Sequence, residues 1–344
     1  MRFVSFTSLD PAPRAGVLIG QTVIDLSAAA PLVFEDTDMV RWDVLDILRG
    51  APEGMGIDGA AEIAAAVLDQ VGLGSADELA DMTGDTERAS SLAGAYSIGG
   101  AAMLLPLDEV RLQAPLPRPG SLRDFYAFED HIGTIARQRG RNVPPAWYDI
   151  PTFYFSNHQA IYGPNADVHM PRTKALDYEL EVACVIGRAG RDILEEDAEE
   201  YIAGFMLMND WSARDVQMEE MKIGLGPAKG KDFATSLGPA LVTLDELEDI
   251  ALPDGRFNMI MVARVNGVER SRGNFRDIYY TFAQMIAHAS RDATLYPGDV
   301  LGSGTVGTGC LLELTAGEGP WLQSGDVVEL EATRLGILKN RMVE

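Results

Sequence analysis

Three groups of side chains in this chain have types and spacings that can do chemistry. The first is Asp177-Tyr-Glu179-Leu-Glu181-Val. Residues two apart on a strand point to one face. Glu179 and Glu181 therefore share a face, with Leu180, Val182, Cys184 and Ile186 on the other. A solvated face of an amphipathic strand is one reading. The same face continues as Ala183, Val185 and Gly187, so it soon turns apolar. Two carboxylates entering a buried region repel each other unless a cation joins them. The second group is an apolar run, 206–209, ending in Asp210 and followed by Arg214 and Gln217. With a helix starting at Ser212, Arg214 and Gln217 lie three apart and share a face. Asp210 or Ser212 can equally serve as no more than that helix's cap. The third is Asp124 with His131, seven positions on, the length of two helical turns. A lone histidine is commonly structural. The nearby Arg137, Arg139 and Arg141 read either as a solvated surface or as a grip on a substrate carboxylate.

Two glycine-rich stretches invite a nucleotide reading and do not sustain it. Gly302-Ser-Gly304-Thr-Val-Gly307 fits G-x-G-x-x-G letter for letter. The following TGCLLELT favours a turn and a strand, not the helix a dinucleotide site needs. Gly230-Lys231 mimics the end of a phosphate-binding loop, but Leu225 stands at its first glycine and Asp232 at its hydroxyl residue. There is no G-x-S-x-G elbow, and neither Cys184 nor Cys310 has a basic partner in sequence.

The elements that must position these groups follow from the pattern. The chain has 344 residues, long enough for two domains. The run Ala114-Pro-Leu-Pro-Arg-Pro-Gly120 cannot continue a helix or a central strand and reads as a linker. Before it, residues 2–26 read as short strands and 59–71 (GAAEIAAAVLDQV) as a helix, a small α/β domain over 1–117. After it, 118–344 is strand-rich. Strands are expected at 179–187, 204–209, 240–244 and 259–265, the last turning at Asn266-Gly267. Helices are expected at 195–203 and 278–291. Lys+Arg number 28 against 52 Asp+Glu, a net charge of −24. That sign repels phosphate backbones, so neither nucleic acid nor an anionic membrane is the expected partner. It leaves room for a small anionic substrate and favours assembly of a hard-cation site. Two cysteines make no disulfide framework, and the N-terminus does not read as a signal peptide, so a cytoplasmic location is expected.

Taken in order, DFYAFEDH (124–131), LDYELE (176–181), MNDWSARDVQ (208–217), LGPAKGKDFATS (225–236), GDVLGSGTVG (298–307) and CLLEL (310–314) resemble the fumarylacetoacetate hydrolase family. The resemblance covers about 121–344 and implies an α+β fold. A mixed β-roll catalytic domain would follow the small N-terminal domain, as in a bacterial member carrying an extra N-terminal domain, usually as a homodimer. By this resemblance Asp124, Glu179, Glu181 and Asp210 are metal ligands, and His131 with Glu313 is a water-activating dyad. Arg214, Gln217 and Lys231 flank the reacting carbonyl, and Tyr126, Arg139 and Thr305 contact substrate. Four carboxylates suit a divalent cation, Mg²⁺ first, with Ca²⁺ or Mn²⁺ as alternatives. The implied activity is hydrolysis of a carbon–carbon bond in a β-diketo acid, a small anionic oxo acid of the kind met in aromatic catabolism. Oxaloacetate decarboxylation and oxo-enoate hydration or isomerisation on the same site are the alternatives. A non-catalytic ligand-binding protein on the same fold is the other class. Met221 stands where the dedicated fumarylacetoacetate enzymes carry a tyrosine, which sets an acylpyruvate or another 2,4-diketo acid beside fumarylacetoacetate as the expected substrate.

Overall fold

The structure, a computed structural model, describes residues 1–8, 10–34, 42–50, 56–84, 86–93 and 95–344. Its contacts cluster into two units, Met1–Leu116 and Pro117–Glu344.

In the first unit, β1 (Arg2–Thr7), β2 (Arg14–Ile19) and β3 (Thr22–Asp25) are followed by helix α1 (Gly56–Gln70), then β4 (Leu104–Pro106) and β5 (Arg111–Gln113). The strands pair antiparallel in the order β4–β3–β2–β1–β5. Phe3, Val4 and Phe6 of β1 are fully buried. Helix α1 buries Ala60, Ile63, Ala64 and Val67, the i, i+3, i+4, i+7 spacing of a helix with one apolar face.

The second unit begins with β6 (Leu122–Phe125), α2 (Glu129–Gln138), β7 (Phe153–Phe155), β8 (Ile161–Tyr162) and β9 (Asp167–His169). Next come β10 (Leu180–Ile186), β11 (Ile202–Asp210), α3 (Arg214–Met221) and β12 (Thr235–Val242). It ends with β13 (Ile260–Val265), β14 (Val268–Asn274), α4 (Phe282–Ser290), β15 (Val300–Gly302), α5 (Leu311–Leu314), β16 (Val327–Ala332) and β17 (Gly336–Val343). One run of strands has the order β12–β11–β10–β15–β6–β7, with β8 alongside β12; a second has the order β9–β17–β16–β13–β14. Both are mixed: β15 pairs parallel to β6 and β9 parallel to β17, while most other pairs are antiparallel. Every residue of β10 is buried, as a strand covered on both faces requires. At the β13–β14 turn Asn266 and Gly267 both take positive φ, +53° and +75°, the signature of a two-residue hairpin that matches strand twist.

Several elements differ from their sequence expectation. Residues Glu195–Tyr201 form a 3₁₀ helix, not an α-helix. The strand expected at 240–244 is the end of the longer β12, and Leu244 opens another 3₁₀ turn, Leu244–Ile250. Helix α4 starts at Phe282, not at 278, because Thr281 and Gln284 close a reciprocal capping box there. Asp124 and His131 do not share a helix: Asp124 lies on β6 and His131 on α2, so the two-turn spacing is coincidental. Asp210 and Ser212 do not cap α3, whose cap residue is Ala213 with no side-chain bond. The stretch after Gly307 is not a strand but leads into the single-turn helix α5.

Candidate active site

Strand register explains how four distant carboxylates meet. On adjacent strands Asp124 of β6 pairs with Gly302 of β15, and Gly302 pairs with Ala183 of β10. Glu181 lies two residues from Ala183 and so shares its face. Glu181 pairs with Met208 of β11, and Asp210 lies two residues beyond Met208. Asp124, Glu181 and Asp210 therefore point to one face of four neighbouring strands. Glu179, just before β10, continues that face. Neighbouring strands are about 4.8 Å apart, so Asp124 and Glu181 must reach across β15. Gly302 permits this. A Cβ there would stand 2.5 Å from Oδ1 of Asp124. Gly304, at φ +76°, donates its N–H to Oε2 of Glu181 at 3.0 Å. The stretch that looked like a dinucleotide loop thus makes room for carboxylates.

One ligand atom from each of Asp124, Glu179, Glu181 and Asp210 fits within 4.8 Å of the others, and all four residues are buried. Cations offset part of the charge. Lys231 Nζ donates to Glu179 Oε2 at 2.6 Å and to Asp210 Oδ2. Arg214 donates to Asp177 Oδ2 and Glu179 Oε1, each at 2.8 Å. Five buried carboxyl groups face two cations, so ionising all five would leave three negative charges uncompensated. Burial, followed by the charge of Asp210, pushes the Asp124 carboxyl well above the usual range. Burial, followed by Asp124, does the same to Glu181. Burial likewise raises Asp210, against the pull of Lys231. Burial also opposes ionisation of Glu179, but Lys231 and Arg214 outweigh it and hold that carboxyl below its ordinary value.

Asp124 Oδ1, Glu181 Oε1 and Asp210 Oδ1 are buried with no hydrogen-bond partner among the described residues. Unpartnered buried oxygens are costly. Three converging on one space, all from carboxylates, fit a hard divalent cation bound through oxygen.

Beside this cluster His131 Nδ1 pairs with Glu313 Oε1, both residues buried. Glu313 Oε2 also accepts from the Thr308 N–H at 3.0 Å, and α5 sets its position. Asp177 anchors that helix by accepting the N–H groups of Leu311 and Leu312 at 2.8 and 3.0 Å while gripping Arg214. With Nδ1 committed to Glu313, Nε2 is the nitrogen available to accept a proton. The Tyr126 ring meets the His131 ring edge-on, centroids 5.2 Å apart.

A cavity of about 340 Å³ opens over these groups. Asp124, Tyr126, His131, Arg139, Glu179, Arg214, Gln217, Lys231 and Thr305 all line it. Gln217 Oε1 accepts from Arg214 at 3.1 Å, which leaves its amide N–H₂ as the donor. The Thr305 hydroxyl is already engaged by the Leu180 backbone. Of the three arginines after His131, Arg139 reaches the cavity; Arg137 and Arg141 are exposed and do not line it. Sequence reasoning missed Asp177 as an anchor and missed Tyr154. The Tyr154 hydroxyl touches Asp124 Oδ2 at 3.1 Å and also Asp210 Oδ2. Asp177 lay within a motif already singled out; Tyr154 sits in an aromatic strand, Phe153–Phe155, with no signal in its neighbours.

The family description "Fumarylacetoacetate (FAA) hydrolase C-terminal" matches residues 121–343. The fumarylacetoacetase of Arabidopsis thaliana is 29% identical over 369 residues, covering 88% of this chain and 80% of its own. The mitochondrial oxaloacetate tautomerase of Homo sapiens is 34% identical over 245 residues, covering 70% of this chain and 72% of its own. Among solved structures, the fumarylacetoacetate hydrolase from psychrophilic Exiguobacterium antarcticum aligns with a TM-score of 0.67 at 25% identity, over 100% of this chain and 99% of that one. Among the described residues, no helix is long and apolar enough to cross a membrane.

Proposed function

This chain belongs to the fumarylacetoacetate hydrolase family, and from that premise we propose that it hydrolyses a carbon–carbon bond in a β-diketo acid with the help of a divalent cation. The observation that carries the reading is the adjacency of the four-carboxylate cluster to the buried His131–Glu313 pair. Asp124, Glu179, Glu181 and Asp210 would hold the cation, Mg²⁺ first, with Mn²⁺ or Ca²⁺ as alternatives. When bound, it supplies Lewis-acid polarisation of the substrate's oxygens.

The remaining work falls to the chain. His131 Nε2, held in the right tautomer by Glu313, takes a proton from the water whose oxygen adds to the carbonyl carbon; when the carbon–carbon bond breaks, the departing enolate regains a proton from the imidazolium that Glu313 has stabilised. Gln217 presents its N–H₂ to the carbonyl under attack. Lys231 uses two of its three donors on Glu179 and Asp210, so one remains for developing negative charge. Arg139, exposed at the cavity, offers a carboxylate-binding guanidinium. Tyr126 and Thr305 complete the wall. Met218, Met221, Ile135 and Phe153 line the cavity too, which favours an acylpyruvate carrying an apolar acyl group.

A second reading rests on the 34% identical oxaloacetate tautomerase. Enolate chemistry on an oxo acid uses the same cage and needs no attacking water. The pairing of His131 with Glu313 favours hydrolysis. The discriminating experiment follows loss of enol absorbance for acylpyruvates and fumarylacetoacetate with added Mg²⁺ or Mn²⁺, alongside tautomerisation and decarboxylation of oxaloacetate. Two carboxyl-bearing fragments from a diketo acid support the hydrolase; turnover of oxaloacetate without any cleavage overturns it. A homodimer in the cytoplasm completes the proposal, checked by mass in solution and by fractionation.

A further inference from the structure

We propose that Tyr154 is a positioning residue that sorts the oxygens of Asp124 and Asp210, holding one of each so that the other is presented to the cation. The inference rests on the metal reading above. Both aspartates offer Oδ2 to the Tyr154 hydroxyl. In both, Oδ1 is the atom left buried without a partner. The same division holds at Glu181, where the Gly304 N–H takes Oε2 and Oε1 is left bare. At Glu181 the holding donor is backbone; at the two aspartates it is this phenol.

The two aspartates do not depend on Tyr154 equally. Asp210 Oδ2 also accepts from Lys231, so it stays anchored without the phenol. Asp124 Oδ2 has Tyr154 as its hydrogen-bond partner among the described residues. Tyr154 is half-buried, and its ring centroid lies 6.0 Å from Lys231 Nζ. Phenylalanine keeps the ring and removes the hydroxyl, which frees the Asp124 carboxylate to rotate about its own bond. A neutral donor suits the place. Its single proton is shared between the two Oδ2 atoms and, with Lys231 already donating to Asp210, can go to Asp124 without adding a positive charge that would compete with the cation. Partners of this kind change metal affinity by about 10–100-fold when removed.

The test is Mn²⁺ binding to the full chain after EDTA treatment, read as free Mn²⁺ by electron paramagnetic resonance, for the parent and for Tyr154→Phe. The expected result is affinity about 10–100-fold weaker in the variant, with the metal-free unfolding temperature unchanged. A Mn²⁺-induced tyrosine difference band near the ultraviolet edge is expected in the parent and lost in Tyr154→Phe. Equal affinity in parent and variant overturns the inference while leaving the metal site standing. A drop in metal-free stability that accounts for the loss assigns Tyr154 a packing role and overturns it also. Should Tyr154→Phe not fold, the parent decides, since absence of the tyrosine band on Mn²⁺ binding refutes contact between the phenol and the ligands. A parent that takes up no Mn²⁺ fails at the earlier step, the metal reading itself.

Discussion

Replacing Glu181 by glutamine should strengthen the metal-free protein and weaken its hold on metal, two effects of opposite sign from one substitution. Glu181 is fully buried, with Oε2 on the Gly304 N–H and Oε1 facing the other carboxylates. Glutamine keeps the shape, can still accept from Gly304, and turns an acceptor among acceptors into a donor. At the 4.8 Å limit of the cluster, two like charges at an effective dielectric of about 20 repel by roughly 3.5 kcal/mol. Protonation relieves part of that in the parent, because the Glu181 carboxyl is pushed up by burial and by Asp124. A gain of about 1–3 kcal/mol at pH 8 is the expectation, or roughly 2–12 °C in unfolding temperature for a unit of this size. It should shrink toward pH 5.

Metal binding moves the other way. With Mn²⁺ at 100 times the parent's Kd, binding stabilises the parent by about 2.7 kcal/mol. If the variant binds about 100-fold more weakly, the same Mn²⁺ concentration gives it only about 0.4 kcal/mol. The assay is thermal unfolding of EDTA-treated parent and Glu181→Gln, with and without Mn²⁺, at pH 5 and pH 8. A variant that keeps the parent's full Mn²⁺ shift, or that is less stable than the parent without metal at pH 8, would refute the reasoning.

The remaining predictions concern the same site. The metal-free parent should lose stability as pH rises. Asp124, Glu181 and Asp210 keep protons in the folded state that the unfolded chain releases near pH 4. The loss should therefore begin near that pH and continue up through the raised folded values, and Mn²⁺ uptake at pH 6 should release protons; calorimetry in buffers of different ionisation enthalpy measures this, and no proton release would contradict it. His131→Gln should lower hydrolysis by about 10²–10⁴-fold with Mn²⁺ affinity unchanged; activity near the parent's would remove His131 from the mechanism. Gly302→Ala should weaken Mn²⁺ binding, because its Cβ would come within 2.5 Å of Asp124 Oδ1. Unchanged affinity would show that β15 yields easily there.

Part of the site was legible in local periodicity, whereas Glu313, Lys231, Tyr126 and Thr305 were pointed to only by the family resemblance. The two-residue repeat of a strand puts Glu179 and Glu181 on one face without any knowledge of the fold, but spacing alone left a solvated face and a cation site both open. The three-residue spacing of Arg214 and Gln217 on α3 is legible in the same way, and their hydrogen bond follows from it. The turn at Asn266-Gly267 needed nothing beyond the chain's handedness. The glycines at 302 and 304 were visible as a pattern, but their use was not. A G-x-G-x-x-G string does not record which side chains stand on the neighbouring strands.

What the sequence determined by itself was therefore each element's face, the sign of the charge, and which residue types were present to react. What the tertiary structure alone decided was which of those faces meet. Asp124 reaches Glu181 because β6, β15 and β10 lie side by side with Gly302 between them. Glu313 reaches His131, 182 positions away, because Asp177 pins the start of α5. Tyr154 touches two aspartates because β7 pairs with β6 at the register Asp124↔Tyr154. Periodicity acts between residues a few positions apart, whereas strand order and register are set by how the whole unit buries its apolar surface. Contacts across strands are therefore absent from any local stretch of the chain.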